Sequence, residues 1–190
     1  MDLFKDVREQ VYELFNRDVH YARFDQYLHL GICHMPCLDC GQYYYRLFEV
    51  GQPRPLVGEE KHPRCDCYYA PAQQLFAGTI SKMGSLSPDI YLKQYGVLPD
   101  YYITKETAIN EYGWRQGKNT MAGKAPGKMI GGNIYENSDR ILPERSGRIW
   151  YECDVDYESG GRNSKRLFYS NDGLMFYSTD HGQTQFYQIL

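Results

Sequence analysis

The chain is 190 residues long and carries 24 acidic and 21 basic side chains, for a formal net charge of -3 at pH 7. This length allows one large domain or two small ones, and the 42% of hydrophobic residues suffices for a packed core. Neither half is basic overall and no apolar run approaches ~18 residues, so tight non-specific nucleic-acid binding and a membrane span are not expected.

The first predicted element is an amphipathic helix from Asp2 to Arg17. Its apolar residues recur at helical spacing, which favours a helix that covers a hydrophobic core. These residues are Leu3, Phe4, Val7, Val11, Leu14 and Phe15. The stretch is charged and lacks a continuous apolar segment, so we expect no recognisable signal peptide. The sequence leaves open whether the protein stays in the cytoplasm or leaves the cell by another route.

Most cysteines and histidines lie before residue 70, namely five of six cysteines and four of five histidines. Two cysteine pairs, CLDC and CDC, are separated by a loop, which is typical of a structural zinc site with four thiolate ligands. A pair of disulfides is the alternative, natural for a secreted protein, but the tight spacing within each pair favours zinc. The predicted ligands are Cys37, Cys40, Cys65 and Cys67, with His62 as the alternative ligand and Cys33 or His34 as competitors.

A small, polar segment from Gly78 to Pro88 is punctuated by glycine and proline and is typical of a linker. We therefore predict a Cys/His-rich helical module with this linker at residues 1–84 and a second domain at residues 85–190. The linker leads into a helix, because Ser87 is a favourable N-cap and Pro88 a favourable first residue. A further short helix is expected to follow Thr104 and to end at Gly113.

The sequence RIWYECDVDY, residues 148–157, alternates apolar and mostly charged side chains. This period of two predicts a strand with one buried and one open face, with Cys153 on the buried face and Glu152 on the open face. The tripeptide Asn171-Asp172-Gly173 lies between two β-rich runs and predicts a hairpin. Helices followed by strands predict an α+β domain with helices packed on one face of an antiparallel sheet.

Several blocks in the second half resemble the barnase and binase family of small bacterial guanyl-preferring ribonucleases. They are LPDYYITK, APGKMIGGNIYENSDRILP, SGRIWYECDVDYESGGRNSKRLFYSNDGL and STDHGQTQF, and the resemblance runs from Ser87 to Leu190. It implies a barnase-like fold of the same α+β class. Within residues 33–71, the CxxC pair and the sequence HPRCDC also resemble, locally, a Cys/His module of phage minor-capsid and head-morphogenesis proteins.

The family resemblance implies metal-independent cleavage of single-stranded RNA to a 2′,3′-cyclic phosphate, with no cofactor for the chemistry. Matched to the family motifs, Glu152 is the general base and His181 is the general acid, a role that suits an imidazole near neutral pH. Arg162, Arg166 and Lys105 match the cations that contact the scissile phosphate, where charged donors stabilise the transition state.

The resemblance also implies a guanine-binding loop, which begins at Tyr135. Asp139 takes the place of a family glutamate that accepts hydrogen bonds from guanine, and Ser138 replaces an arginine that covers the base. Gly182 stands where the best-known members have a tyrosine that packs on the nucleotide. We therefore predict a guanosine preference weaker than in those members. The predicted substrate contacts are Tyr135, Asn137, Ser138 and Asp139.

Taken together, these features predict a bacterial toxin or effector, secreted or delivered into the cytoplasm of a target cell, whose substrate is RNA. A ribonuclease endangers its producer, and the resemblance implies a barstar-like inhibitor or immunity protein as a second partner. The alternative is a structural or assembly protein of a phage-like particle whose C-terminal domain only binds RNA. Retention of both Glu152 and His181 favours the enzyme, because binding alone needs no proton-transfer residues.

Overall fold

A computed structural model describes residues 27–31 and 37–190. The helix predicted from Asp2 to Arg17 and the competing ligands Cys33 and His34 lie outside the described residues. Among the helices in the described part of the chain, none has the length and apolar character needed to cross a bilayer.

Strands dominate the regular structure. They are β1 (Tyr27–Gly31), β2 (Leu47–Glu49), β3 (Tyr68–Pro71), β4 (Gln73–Leu75), β5 (Tyr102–Ile103), β6 (Met129–Tyr135), β7 (Trp150–Asp154), β8 (Arg166–Ser170), β9 (Met175–Ser178) and β10 (Tyr187–Ile189). The described α-helices are α1 (Leu38–Gly41), α2 (Pro88–Tyr95), α3 (Lys105–Asn110) and α4 (Met121–Lys124). Short 3₁₀ turns occur at Gly58–Glu60 and Gly84–Leu86.

Seven strands form one mixed sheet in the order β4-β10-β9-β8-β7-β6-β5. The strands from β6 to β10 pair antiparallel, and the predicted hairpin joins β8 to β9. At the two edges, β5 pairs with β6 and β4 pairs with β10 in parallel. The α+β class is confirmed, and the prediction of a purely antiparallel sheet is wrong at both edges. Parallel pairs need long crossover connections, which local sequence patterns do not reveal.

Both predicted helices of the second half are present. Pro88 is the first residue of α2, and Gly96 ends this helix with a left-handed φ of 71°. The side-chain oxygen of Thr104 caps α3 by accepting a hydrogen bond from the backbone N–H of Thr107. This helix ends at Asn110, three residues earlier than predicted, because the chain then turns through Gly113.

The helices pack on one face of the sheet around a hydrophobic core. Cys153 on β7, Leu167 on β8 and Val155 just after β7 are no more than 1% exposed. On the helical side, Ala108 and Met121 are equally buried in the same cluster. Cys153 is therefore a core thiol, as the alternation predicted.

The opposite face of the sheet is also covered, so the open face predicted from the alternation is wrong. Trp150, Phe168 and Phe176 are at most 4% exposed and form the centre of a second core. Asp154, at the end of the same strand face, is 1% exposed. Glu152 alone of these β7 positions keeps partial exposure. The cover comes from distant chain segments, and alternation within a strand cannot show it.

The front region, residues 27–31 and 37–72, contains a three-stranded antiparallel sheet in the order β2-β1-β3. Among the described residues of this region, the predicted helical module is corrected to a small sheet, because α1 is only four residues long. Ligand spacing does not define the backbone between the ligands, whereas the tyrosines of this region favour strands. Cys40, Cys65 and Cys67 are buried together beside Tyr69.

The segment predicted as a linker packs against the second domain. The backbone N–H of Gly78 donates to the carboxylate of Asp89 at 2.7 Å, and Ile80 is buried in the first core. The Ser81 hydroxyl donates to Asp156 at 2.8 Å. The division of the chain into two domains stays a prediction, and the structure adds that this segment packs with the sheet.

Candidate active site

A cleft of about 740 Å³ lies where α3, the loop before α4 and the strands β7 and β8 meet. All of the residues predicted for catalysis line it, although they come from four separate segments of the chain. The opposite wall is formed by residues of the 114–121 loop. The residues that line the cleft as predicted are Lys105, Glu152, Arg162, Arg166 and His181.

Glu152 and Lys105 form an ion pair in the cleft, in which Lys105 Nζ donates to Glu152 Oε1 at 2.6 Å. Glu152 lies on β7, which pairs with β6 and β8 on either side. Lys105 is the first residue of α3, and its backbone N–H donates to the Asn133 side-chain oxygen at 2.9 Å. Both charged groups are therefore held by regular elements and not by a flexible loop.

Two largely buried guanidinium groups share one buried carboxylate. Arg162 donates from Nε and Nη2 to the two carboxylate oxygens of Asp154 at 2.8 and 2.6 Å, and Arg166 Nη1 lies 3.2 Å from the same carboxylate. Burial lowers the pKa of Arg166. Burial acts in the same direction on Arg162, but its bond to Asp154 raises the pKa above the ordinary value. One positive charge of the group remains uncompensated and available to a phosphate.

Asp154 belongs to the charge network of this candidate site and was missed by the sequence analysis. The alternation placed it on an open face of β7, whereas it is 1% exposed and positions both arginines. The available signal was its spacing, because residues two apart on a strand lie on the same face and Glu152 is two residues before it.

His181 lies in a turn after β9 and has a positive φ of 64°. Its backbone N–H donates to the Ser164 oxygen at 2.9 Å. The Asp180 carboxylate closes the turn, accepting hydrogen bonds from the backbone N–H of Gln183 at 3.1 Å and of Thr184 at 2.9 Å. These bonds fix the backbone that carries the imidazole.

The electrostatic environment of His181 favours its neutral form. Burial lowers the pKa of His181 first, and the nearby positive charges of Arg166 and Arg162 lower it further. The negative charges of Asp154 and Glu152 act in the opposite direction and only partly offset this effect. The His181 imidazole and the Glu152 carboxylate thus line the same cleft, and the charge of Glu152 acts on the pKa of His181.

The predicted base-binding loop begins at the end of β6, beside the cleft. The Tyr135 ring packs on Phe168 with ring centroids 4.6 Å apart. Burial raises the pKa of Tyr135, and the negative charges of Asp139 and Glu152 raise it further. Tyr135 therefore lies within electrostatic reach of both the predicted general base and the predicted base-binding carboxylate.

Inside this loop, Asn137 has a φ of 47° and is only 6% exposed. Its Oδ1 accepts from the Leu142 backbone N–H at 2.9 Å, and its Nδ2 donates to the Leu142 oxygen at 2.8 Å. The Asn137 side chain therefore shapes the loop from within. Ser138 and Asp139 are exposed at the tip of the loop.

The sequence profile of the ribonuclease family matches residues 89–189. The chain belongs to the ribonuclease family of barnase and binase. It is 49% identical over 94 residues to a ribonuclease of Heyndrickxia coagulans, an alignment that covers 50% of this chain and 85% of that relative. Ribonucleases of Bacillus intermedius and Bacillus pumilus are also 49% identical over 94 residues, but there the alignment covers 57% of the relative and 50% of this chain.

Within the ribonuclease domain, Gly182 directly follows His181. It has a φ of 75°, and a Cβ atom at this position would lie 2.6 Å from the ring of Phe168. Phe168 is 1% exposed in the second core. A side chain at this position, such as the tyrosine of the best-known members of the family, would therefore require Phe168 or the backbone to shift.

A cluster of metal-binding side chains lies before the segment matched to the ribonuclease family. The ligand atoms of Cys37, Cys40, His62 and Cys65 all lie within 4.8 Å of one another. The Cys65 sulfur is 3.8 Å from the Cys40 sulfur and 3.9 Å from the Cys37 sulfur. Thiolates around tetrahedral zinc are about 3.8 Å apart, given a Zn–S bond of ~2.3 Å. The donor set and its spacing therefore fit zinc.

Of the predicted ligands, three cysteines lie in this cluster, and its fourth member is the alternative ligand His62 and not Cys67. His62 Nε2 lies 2.9 Å from the Cys37 sulfur. The Cys67 carbonyl packs against Gly58, where a Cβ atom would lie 2.6 Å from it. The Cys67 sulfur is not among the four clustered ligand atoms.

The ligand cysteines differ in acidity. A hydrogen bond from the Cys40 backbone N–H, followed by one with His62, lowers the pKa of Cys37 to about 6. Cys37 is therefore ready to bind a metal, since the thiolate is the binding form. Cys37, Cys40 and Cys65 are free thiols in the structure, and their sulfurs are too far apart for the ~2.05 Å bond of a disulfide.

Proposed function

We propose that this protein is an endoribonuclease that cleaves single-stranded RNA without a metal ion and leaves a 2′,3′-cyclic phosphate. The observation that carries the proposal is that Glu152, His181 and three cations line one cleft. Such groups can move two protons and stabilise the charge that develops on phosphorus. Membership of the ribonuclease family supports the same reaction. A protein that only binds RNA has no need of this proton-transfer pair.

In the proposed reaction, Glu152 takes the proton of the 2′-hydroxyl as its oxygen bonds to phosphorus. Protonated His181 gives its proton to the 5′-oxygen as the bond from phosphorus to that oxygen breaks. Arg162, Arg166 and Lys105 stabilise the negative charge on the non-bridging oxygens. Water then opens the cyclic phosphate, with His181 taking the proton from water and Glu152 returning one to the 2′-oxygen.

Two substitutions test these roles. We expect Glu152→Ala and His181→Ala each to reduce RNA cleavage by roughly 10²- to 10⁴-fold, the usual contribution of one general acid or base. The assay contains a chelator, the ends of the products are analysed for cyclic phosphate, and circular dichroism confirms folding. Glu111→Ala is the control, because Glu111 is an exposed acid outside the cleft. Full activity of either active-site variant contradicts the assignment.

Guanine is the proposed base on the 5′ side of the cut. The exposed Asp139 carboxylate accepts hydrogen bonds from the N1 and N2 donors of guanine, which adenine lacks. Ser138 and Gly182 supply no stacking side chain, and each lost stack weakens binding by about 1–3 kcal/mol. The preference is therefore expected to be weaker than in the best-known members of the family.

A dinucleotide series tests the base preference. We expect faster cleavage of GpA than of ApA, and Asp139→Asn should reduce this ratio by roughly tenfold, because the amide loses one charged acceptor. Glu136→Gln is a matched control, since Glu136 is an exposed acid in the same loop. Equal cleavage of both dinucleotides by the unmodified protein contradicts guanine recognition.

One structural zinc ion is proposed for Cys37, Cys40, His62 and Cys65. Four protein ligands complete a tetrahedral sphere and leave no position for substrate. Metal analysis should find zinc in the purified protein, retained in Cys67→Ser and lost in Cys40→Ser. Absence of zinc, together with a mass that shows lost hydrogens, would instead indicate disulfides.

The biological role that we propose is that of a toxin or delivered effector countered by a barstar-like inhibitor. The inhibitor is expected to be acidic, because the cleft presents the cations Lys105, Arg162 and Arg166. Expression of the gene alone should arrest growth of the host, and co-expression of such an inhibitor should restore it. Normal growth with the unprotected gene contradicts this role.

A further inference from the structure

The loop that carries the proposed base contacts, residues 135–142, also contacts the front region. The backbone N–H of Leu47 on β2 donates to the Ile141 oxygen at 2.8 Å. Leu47 and Ala72 are 5% and 7% exposed and belong to the same hydrophobic core as Ile141 and Leu142. A segment outside the part matched to the ribonuclease family thus touches the loop at its C-terminal end.

This contact is linked to the tip of the loop by a short series of bonds. Leu142 is fully buried and exchanges two hydrogen bonds with the Asn137 side chain. The Asn137 backbone oxygen in turn accepts from the Arg140 N–H at 2.8 Å. Ser138 and Asp139 lie between these anchors. The position of these two tip residues therefore depends on Ile141 and Leu142, which Leu47 contacts.

We infer that the front region positions the base-recognition loop, and that Leu47 is the positioning residue through which it acts. The inference rests on the proposed guanine recognition by this loop. Leu47 does not line the cleft that contains Glu152 and His181. We therefore expect its contact with the loop to affect which base is preferred and not the proton-transfer steps.

The test is Leu47→Ala in the full chain, which removes the side chain from the shared core. The ratio of GpA to ApA cleavage should fall by roughly fivefold or more, the lower end of coupling between protein sites, through a higher KM for GpA. The kcat for ApA and its pH profile should not change. Leu56→Ala is the matched control, because Leu56 belongs to the same region but is 59% exposed.

Amide hydrogen exchange gives a second measurement that needs no activity. In Leu47→Ala, the amides of Arg140 and Leu142 should exchange faster, while that of Cys153 in the other core keeps its rate. If the variant is too unstable, Leu47→Val should produce smaller changes in the same direction. Equal loss of cleavage for both dinucleotides, or unchanged exchange in the loop, overturns the inference. If the unmodified protein cleaves no RNA, the proposed function fails, while the exchange experiment still decides whether Leu47 holds the loop.

Discussion

Asp154 shows how single charges hold the cleft together. Its carboxylate is almost completely buried and bonds to both arginines, so Asp154→Asn leaves two guanidinium groups without their counter-ion. Breaking a buried ion pair from one side costs about 3–5 kcal/mol, and we expect a loss of that size in the free energy of unfolding. RNA cleavage should fall as well, because Arg162 and Arg166 lose the group that orients them.

Urea denaturation and steady-state cleavage measure the two effects separately. Asp100→Asn is the matched control, because Asp100 is exposed and such surface changes usually alter stability by no more than ~0.5 kcal/mol. If Asp154→Asn unfolds like the control, the carboxylate is not the support of the arginines.

As the proposed general acid, His181 is expected to determine the alkaline side of the pH profile, because a general acid must be protonated. Burial and then the charges of Arg166 and Arg162 lower its pKa, so the decline of kcat/KM with rising pH should begin below pH 6.5. Bound RNA brings a negative phosphate, which raises this pKa and moves the decline of kcat to higher pH. An NMR titration should show that Arg162→Gln raises the pKa of His181 in the free protein. An unchanged titration in this variant contradicts the electrostatic cause.

Gly182 is required both by its backbone conformation and by its neighbour. Alanine here combines the left-handed φ of 75° with a Cβ 2.6 Å from Phe168, and we expect a loss of about 2–5 kcal/mol in stability. Gly96→Ala has a φ of 71° and no atom within 4 Å, so it should lose only about 1–2 kcal/mol. Thermal denaturation compares the two variants, and equal losses would exclude the clash with Phe168.

At the scale of elements, local sequence patterns predicted individual helices and strands better than they predicted what packs against them. Ser87 and Thr104 marked two helix starts, and the hairpin at residues 171–173 was visible because turn residues act locally. The alternation along β7 located Glu152 but left Trp150 on an open face. The second core that covers Trp150 is assembled from segments distant in the sequence. The alternation within one strand contains no information about which segments will pack on it.

The same difference between local motifs and long-range packing explains which residues of the two candidate sites could be predicted. The charged residues of the candidate active-site cleft were predicted because they lie within motifs that resemble those of the ribonuclease family. The presence of His62, and not Cys67, in the Cys/His cluster depends on how the chain turns near His62, where Arg64 has a φ of 65°. A positive φ at an arginine has no sequence signature comparable to that of glycine, so spacing alone could not identify the fourth member of the cluster.

At the scale of the whole molecule, the front region is tied to the ribonuclease domain by the strand that follows it and by a shared core. Strand β4, directly after the front region, extends the seven-stranded sheet by pairing with β10. Leu47 and Ala72 complete the second core beside the base-recognition loop. The same core contains Phe168, which packs on Tyr135 at the start of that loop. Substitutions in the front region are therefore expected to alter the base preference more than the reaction of the proposed proton-transfer pair, Glu152 and His181.

Removal of the proposed zinc ion tests whether the front region acts on base recognition and not on the cleavage chemistry. Zinc binding contributes to the folding of small metal sites, so a strong chelator should lower the thermal stability of the front region. Cleavage of ApA should persist, because the proposed chemistry uses only Glu152, His181 and the cations of the cleft. The ratio of GpA to ApA cleavage should decrease, since β2 begins seven residues after the proposed ligand Cys40 and holds the loop through Leu47. Cys40→Ser should show the same decrease without chelator and no further change with it. Loss of ApA cleavage in proportion to metal removal would mean that the front region supports the whole fold. The inference that the front region acts selectively on base recognition would then be wrong.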